Sequence, residues 1–143
     1  MKIGELAQAS QCSVETIRFY EKEGLLPNPA RTEGNFRIYG TAHLQRLRFV
    51  RNCRVLDMSH GEIRALLHLA DRPAESCSAV NAVFDDHIAH VDERIAELAS
   101  LKEQLVSLRE RCQTEQATDA CGILQGLEAM PAQLQPRRHT HLG

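Results

Sequence analysis

Between Ser78 and Arg111 the chain runs for 34 residues without a proline or a glycine. Apolar side chains recur along it at Phe84, Ile88, Val91, Ile95, Leu98, Leu101, Leu105 and Leu108, and the pattern closes on Cys112. The steps alternate four and three, repeat a three once between Leu98 and Leu101, then resume: a heptad-like stripe with one stammer. A helix this long, with so narrow a stripe, cannot bury its seam against a small domain of its own. A second copy of the same helix is the expected cover. The chain is therefore expected to be mainly α and to form a homodimer through a long coiled-coil helix.

Charge divides the chain on either side of Pro73. Residues 1–72 hold eleven Lys and Arg against eight Asp and Glu, a net +3, and residues 73–143 hold six against eleven, a net −5. The whole-chain charge of −2 hides this asymmetry. Only the first part is suited to meet a polyanion.

That basic part reads as short helices. Ile3, Leu6 and Ala7 give an amphipathic turn or two, and Gln11-Cys12-Ser13 is a break with Ser13 as helix cap. A second helix runs from Val14 to Glu23 and stops at Gly24. Two helices joined by a three-residue turn have the spacing of a helix-turn-helix. The segment ARTEGNFRIYG then alternates around a Gly-Asn turn and is expected to be a small β-hairpin. Thr41 is expected to cap a third helix that carries Arg46, Arg48, Arg51 and Arg54, and Ser59-His-Gly-Glu62 has the form of a capping box for a fourth. The sum is a winged helix-turn-helix for double-stranded DNA. Candidate contacts are Ser13, Thr16, Arg18 and Tyr20 on the second helix and Arg31, Asn35, Arg37 and Tyr39 on the wing. Lys22 and Arg64 are read as solvated.

Five cysteines, an odd number, argue against a closed disulfide framework. No leader-like apolar segment follows the first lysine and no run of 18 apolar residues exists, so a cytoplasmic chain that does not cross a membrane is expected. In that reducing setting, paired cysteines more often bind metal or do redox work than form disulfides. Cys12 and Cys53 fall at apolar or turn positions and are read as small hydrophobes. Cys77 precedes the long helix, Cys112 ends it, and Cys121 follows on a polar loop. At about 1.5 Å per residue the helix separates Cys77 from Cys112 by roughly 50 Å. Antiparallel pairing of two such helices brings Cys77 of one chain beside Cys112 and Cys121 of the other, giving two three-thiolate sites per dimer. Three thiolates suit soft cations such as Hg(II), Pb(II) and Cd(II), whereas Zn(II) usually takes a fourth ligand. His87 and His90, three apart on the helix, together with His139 and His141 in the tail, form a candidate second metal site. His43, His60 and His68 are read as ordinary positions. A thiol oxidoreductase finds no support, since the chain has no C-x-x-C, no βαβ pattern and no nucleotide-binding glycine loop. A metal-storage protein would leave the winged half unexplained.

The run IGELAQASQCSVETIRFYEKEGLLPNPARTEGNFRIY resembles the DNA-binding domain of the MerR family, notably in T-I-R-F-Y-E-x-E-G-L-L-P and in the wing G-N-F-R-x-Y. The resemblance continues through RNCRVLDMS and CSAVNAVFDDHIAHVDERI to CGIL, and the second half is most similar to the cadmium- and lead-responsive regulators of that family. It implies the same three cysteines as ligands and favours Cd(II) or Pb(II) as effector. It further implies a dimer on a promoter operator, where effector binding distorts the DNA and aligns the promoter for RNA polymerase, activating metal-resistance genes. The expected organisation is a DNA-binding domain over 1–72, linker and dimerisation helix over 73–111, metal-binding loop and short helix over 112–128, and a histidine-bearing tail over 129–143.

Overall fold

The helices that follow Ser13 and Ser59 start where a serine hydroxyl satisfies one of the first free N–H groups. The computed structural model describes residues 1–74, 76–132 and 142. Helix α1 spans Ile3–Ser10 and α2 spans Val14–Lys22, with the Ser13 hydroxyl accepting the Thr16 N–H at 3.0 Å. Gly24, at φ 75°, turns the chain out of α2, a backbone region that side-chain-bearing residues rarely adopt. Strands β1 (Ala30–Arg31) and β2 (Arg37–Ile38) pair antiparallel, Ala30 opposite Ile38 and Arg31 opposite Arg37. Asn35, at φ 64°, closes the hairpin tip between them. Helix α3 covers Thr41–Val55, α4 His60–Ala70, and α5 Cys77–Arg109, followed by a 3-10 turn at Thr118–Ala120 and α6 at Gly122–Ala129.

The caps of α2 and α4 are those expected from sequence. At α4 the Ser59 hydroxyl accepts from the Glu62 N–H at 3.1 Å and the Glu62 carboxylate accepts from the Ser59 N–H at 2.8 Å. The start of α3 differs. Gly40 holds the cap position in place of Thr41, and the His43 ring nitrogen reaches back to accept the Gly40 N–H at 3.0 Å.

Two compact units result, Met1–His87 and the chain from Ile88 onward. The first therefore extends past Pro73 into the opening turns of α5. Its core joins Leu6 of α1, Ile17 and Tyr20 of α2, Leu47, Val50 and Cys53 of α3, and Ile63, Leu66 and Leu67 of α4, closed by Leu25, Leu26, Tyr39 and Met58. Val80 and Val83 of α5 pack against it. Three α3 arginines are engaged within this unit: Arg46 pairs with Asp71 at 2.7 Å, Arg51 donates to the Ser10 carbonyl at 2.9 Å, and Arg54 to the Met58 carbonyl at 2.6 Å.

In the second unit α6 lies against the end of α5 through two glycines. A Cβ on Gly122 would collide with the Arg111 carbonyl oxygen, and one on Gly126 would sit 3.1 Å from the Leu108 side chain. No helix among the described residues is long and apolar enough to cross a membrane.

Replacing Ser59 with alanine removes the acceptor that closes the α4 cap. Chemical denaturation at fixed protein concentration should show a loss of about 1 kcal/mol, with no change in the slope against denaturant.

Candidate nucleic-acid face and metal centre

The first unit carries a groove of about 720 Å³ between the start of α1, α2 and the hairpin. Lys2, Arg18, Lys22, Arg31 and Arg37 line it, together with Asn28, Asn35, Phe36 and a single carboxylate, Glu21. Five cations around one concavity, on the helix and wing of a helix-turn-helix, suit a phosphate backbone. Arg18, Arg31, Asn35 and Arg37 thus converge as expected, with Arg31 donating to the Asn35 carbonyl at 3.1 Å. Ser13 and Thr16 open the same helix, their hydroxyls 2.8 Å apart.

Tyr20 and Tyr39 stand elsewhere than the sequence reading put them. Tyr20 is 7% and Tyr39 1% exposed, so both belong to the core. The Tyr39 backbone explains its depth: its N–H donates to the Met1 carbonyl at 2.8 Å and its carbonyl accepts from the N-terminal ammonium at 2.7 Å, which draws the residue beneath α1. Its hydroxyl donates to Glu21. Burial and then the Glu21 carboxylate push the Tyr39 phenol above its ordinary value. Lys2, Lys22 and Asn28 were missed as groove residues. Lys22 sits one turn after Arg18 on α2, so its spacing was a usable signal, whereas Lys2 and Asn28 arrive only through the tertiary fold.

The thiols divide by element. Cys77 is the first residue of α5 and is exposed. Cys112 and Cys121 meet in the second unit, where the loop after α5 returns through the 3-10 turn. The N–H groups of Leu124 and Ile123, at the start of α6, hold the Cys121 thiol below its ordinary value, with burial opposing. Burial and the neighbouring Cys121 push the Cys112 thiol up. The Cys112 sulfur also lies 3.6 Å from the Thr114 carbonyl. Gly122 makes the meeting possible, since the Arg111 carbonyl occupies the place a side chain would need. The pairing of Cys112 with Cys121 on this loop is the one expected from sequence.

Cys12 and Cys53 behave as small hydrophobes, Cys53 buried at 7% exposure with its thiol pushed up by burial alone. His87 is 6% exposed, more enclosed than a surface helix position. One ring nitrogen faces the Leu56 carbonyl at 2.7 Å and the other the Glu62 carboxylate at 3.0 Å. Glu62 thus serves both the α4 cap and His87, a second role its capping-box motif did not disclose. His90 follows one turn later on α5. His139 and His141 lie outside the described residues.

A winged helix-turn-helix with a basic groove, followed by a long helix and a thiol-bearing loop, defines a helix-turn-helix DNA-binding regulator. The chain belongs to the MerR family: the family's helix-turn-helix regulatory model matches residues 1–69 and its DNA-binding model residues 44–108. The ZntR homolog of Haemophilus influenzae, a helix-turn-helix transcriptional regulator, is 53% identical over 111 residues, covering 78% of this chain and 82% of that protein. The mercuric resistance operon regulatory protein of Serratia marcescens is 34% identical, covering 90% of this chain and 88% of its own. The crystal structure of the transcription regulator PbrR691 from Ralstonia metallidurans CH34, in complex with lead(II), superposes with a TM-score of 0.81 at 53% identity, covering 89% of this chain and 98% of that one.

Gly122→Ala should force α6 away from Arg111 and part the two loop thiols. We expect Pb(II) affinity, measured by competition with a chromophoric chelator, to fall about tenfold, within the range seen when groups that orient ligands are disturbed. Cys121 alkylation near neutral pH should slow as its thiol rises toward the ordinary value.

Proposed function

We propose that the protein is a transcriptional regulator responsive to thiophilic metals, binding promoter DNA as a homodimer and activating metal-resistance genes when the metal binds. The observation that carries this is the Cys112–Cys121 pair, with one thiol held low at a helix start, in a chain whose basic groove is built for a polyanion. Cys77 of the partner chain supplies the third ligand. Along α5, 33 residues at about 1.5 Å each set Cys77 roughly 50 Å from the loop end, which favours an antiparallel pairing of two chains. Seven large apolar residues of α5 between Phe84 and Leu105 stay 37–58% exposed in the single chain, consistent with a partner helix covering them.

Three thiolates favour Cd(II) or Pb(II), with Hg(II) or Zn(II) as alternatives. The lead complex of PbrR691 and the mercuric resistance regulator support a soft cation. When bound, the cation supplies a cross-link between chains at each end of the paired helices. That cross-link turns metal occupancy into a change in the spacing of two DNA-binding heads. Distortion of the operator by those heads, and alignment of the promoter for RNA polymerase, complete the mechanism in the cytoplasm. Ser13, Thr16, Arg18, Arg31, Asn35 and Arg37 are the DNA-contacting set, joined by Lys2 and Lys22. The role is one of binding and regulation, with no catalysis.

Mixing two mutants tests the shared site. Cys77→Ser and Cys112→Ser homodimers should each lose metal-dependent activation. In a mixed dimer one site lacks both thiols, while the other joins Cys77 of the second mutant to Cys112 and Cys121 of the first. About half the metal of the native dimer should bind, and none at all would rule out the antiparallel arrangement.

A second, weaker site is proposed around His87 and His90, with His139 and His141 of the tail. Its support is the side-by-side placement of the His87 nitrogen and the Glu62 carboxylate, donors that suit Cd(II) or Zn(II) better than Pb(II). An ion there would compete with that pair, and ordering the tail costs entropy, so binding should be the weaker of the two. Equilibrium dialysis should show a second Cd(II) per chain that is lost on deletion of residues 136–143. Saturation of the full-length protein at one Cd(II) per chain excludes the site.

A further inference from the structure

One carboxylate lies in a groove whose other charged residues are all cations, and it is nearly enclosed. The Glu21 side chain is 10% exposed, and each of its oxygens is taken. Oε2 accepts from the Arg37 guanidinium at 3.1 Å, and Oε1 accepts from the Tyr39 hydroxyl. Glu21 lies on α2, the helix placed to read DNA, while Arg37 and Tyr39 lie on and just after β2, the returning strand of the wing. Tyr39 is in turn fixed by two backbone bonds to Met1 and by an edge-on contact of its ring with His43, centroids 5.3 Å apart.

A lone carboxylate on a face that meets phosphates is unfavourable by simple charge repulsion. Its placement needs a compensating role. Among the described residues the two-residue strands pair only with each other, so their ladder cannot set the angle between wing and helix. The Glu21 bonds can. We infer that Glu21 is the positioning residue that fixes the wing against the recognition helix and holds Arg37 aimed at DNA, so that sequence discrimination, rather than bare affinity, depends on it. One guanidinium nitrogen is spent on Glu21, and the group's remaining N–H donors can serve a phosphate or a base edge. A carboxylate acting in this way weakens contact with any DNA through its charge. It strengthens contact only where the wing and helix must fit one operator together.

This inference rests on the groove being the DNA face, and the experiment separates the two. Three variants of the full chain are compared: Glu21→Gln, Arg37→Ala and the double mutant. Each is measured for binding to DNA upstream of the protein's own gene, for binding to unrelated duplex of equal length at the same salt, and for thermal unfolding. Glutamine keeps an oxygen for the Tyr39 hydroxyl but removes the charge that holds Arg37. We expect Glu21→Gln to bind operator about tenfold more weakly, the scale of one charged hydrogen bond, with unrelated duplex bound equally or more tightly. In the Arg37→Ala background the same change should cause no further loss, because the partner it positions is gone. Tighter binding of both duplexes by Glu21→Gln would show a carboxylate that merely repels, and would overturn the inference while leaving the DNA face intact. A parallel fall on both duplexes with a lowered unfolding temperature would reduce Glu21 to a folding residue. Operator binding unchanged by Arg37→Ala would overturn the DNA face and the inference together.

Discussion

A 33-residue helix that cannot cover its own apolar stripe sets the terms for the rest of this protein. Along α5, Phe84, Ile88, Val91, Ile95, Leu98, Leu101 and Leu105 remain substantially exposed in the single chain. Each such side chain gains roughly 1.5–3 kcal/mol from full burial, so the stripe is a strong demand for a partner of the same length and pattern. Once two such helices pair antiparallel, the helix start of one meets the helix end of the other. The cysteines stand at those ends: Cys77 is the first residue of α5, and Cys112 falls three residues after its last. In the antiparallel pairing proposed above, the geometry of dimerisation and that of metal capture would both follow from one helix length.

Much of the fold was legible because local chemistry and tertiary role agree. Ser13 and Ser59 mark helix starts through their caps, Gly24 marks an end through its positive φ, and the proline-free run marks α5. Legibility failed where a residue's role depends on distant backbone. Tyr39 looked like a wing-surface residue because alternation in a strand of two residues cannot say which face is inward. Its depth comes from the chain terminus bonding to its backbone. Phe36, on the strand face opposite Tyr39 in the alternation, is 72% exposed. The α3 arginines looked like a basic face, yet Arg51 and Arg54 close carbonyls at the ends of other segments. Five cations gather instead around the groove between α1, α2 and the wing, the face proposed to meet DNA.

Glu62 illustrates how one motif residue can be read correctly and still incompletely. Its carboxylate closes the cap of α4 with one oxygen and faces His87 with the other. The same histidine faces the carbonyl of Leu56, just past α3. The opening turns of α5 are thus tied to the end of α3 and the start of α4 through one nearly buried ring. A carbonyl can only accept, so the 2.7 Å contact with Leu56 is a hydrogen bond in the tautomer that carries its proton on Nε2. This tie explains why the first compact unit ends at His87 instead of at Pro73.

The loop thiols carry the matching electrostatics. Two neighbouring thiols cannot both ionise freely, because the second negative charge is repelled by the first. The chain resolves this by asymmetry: backbone N–H groups of Leu124 and Ile123 lower the Cys121 thiol, while burial and the neighbouring Cys121 raise the Cys112 thiol. The pair titrates as a unit, and its first proton leaves at a lower pH than its second. A soft cation that takes both sulfurs must therefore displace the Cys112 proton. In the proposed site, metal binding at this pair would compete with protons and weaken as pH falls. The α6 helix start thus favours loss of the first proton, the one on Cys121.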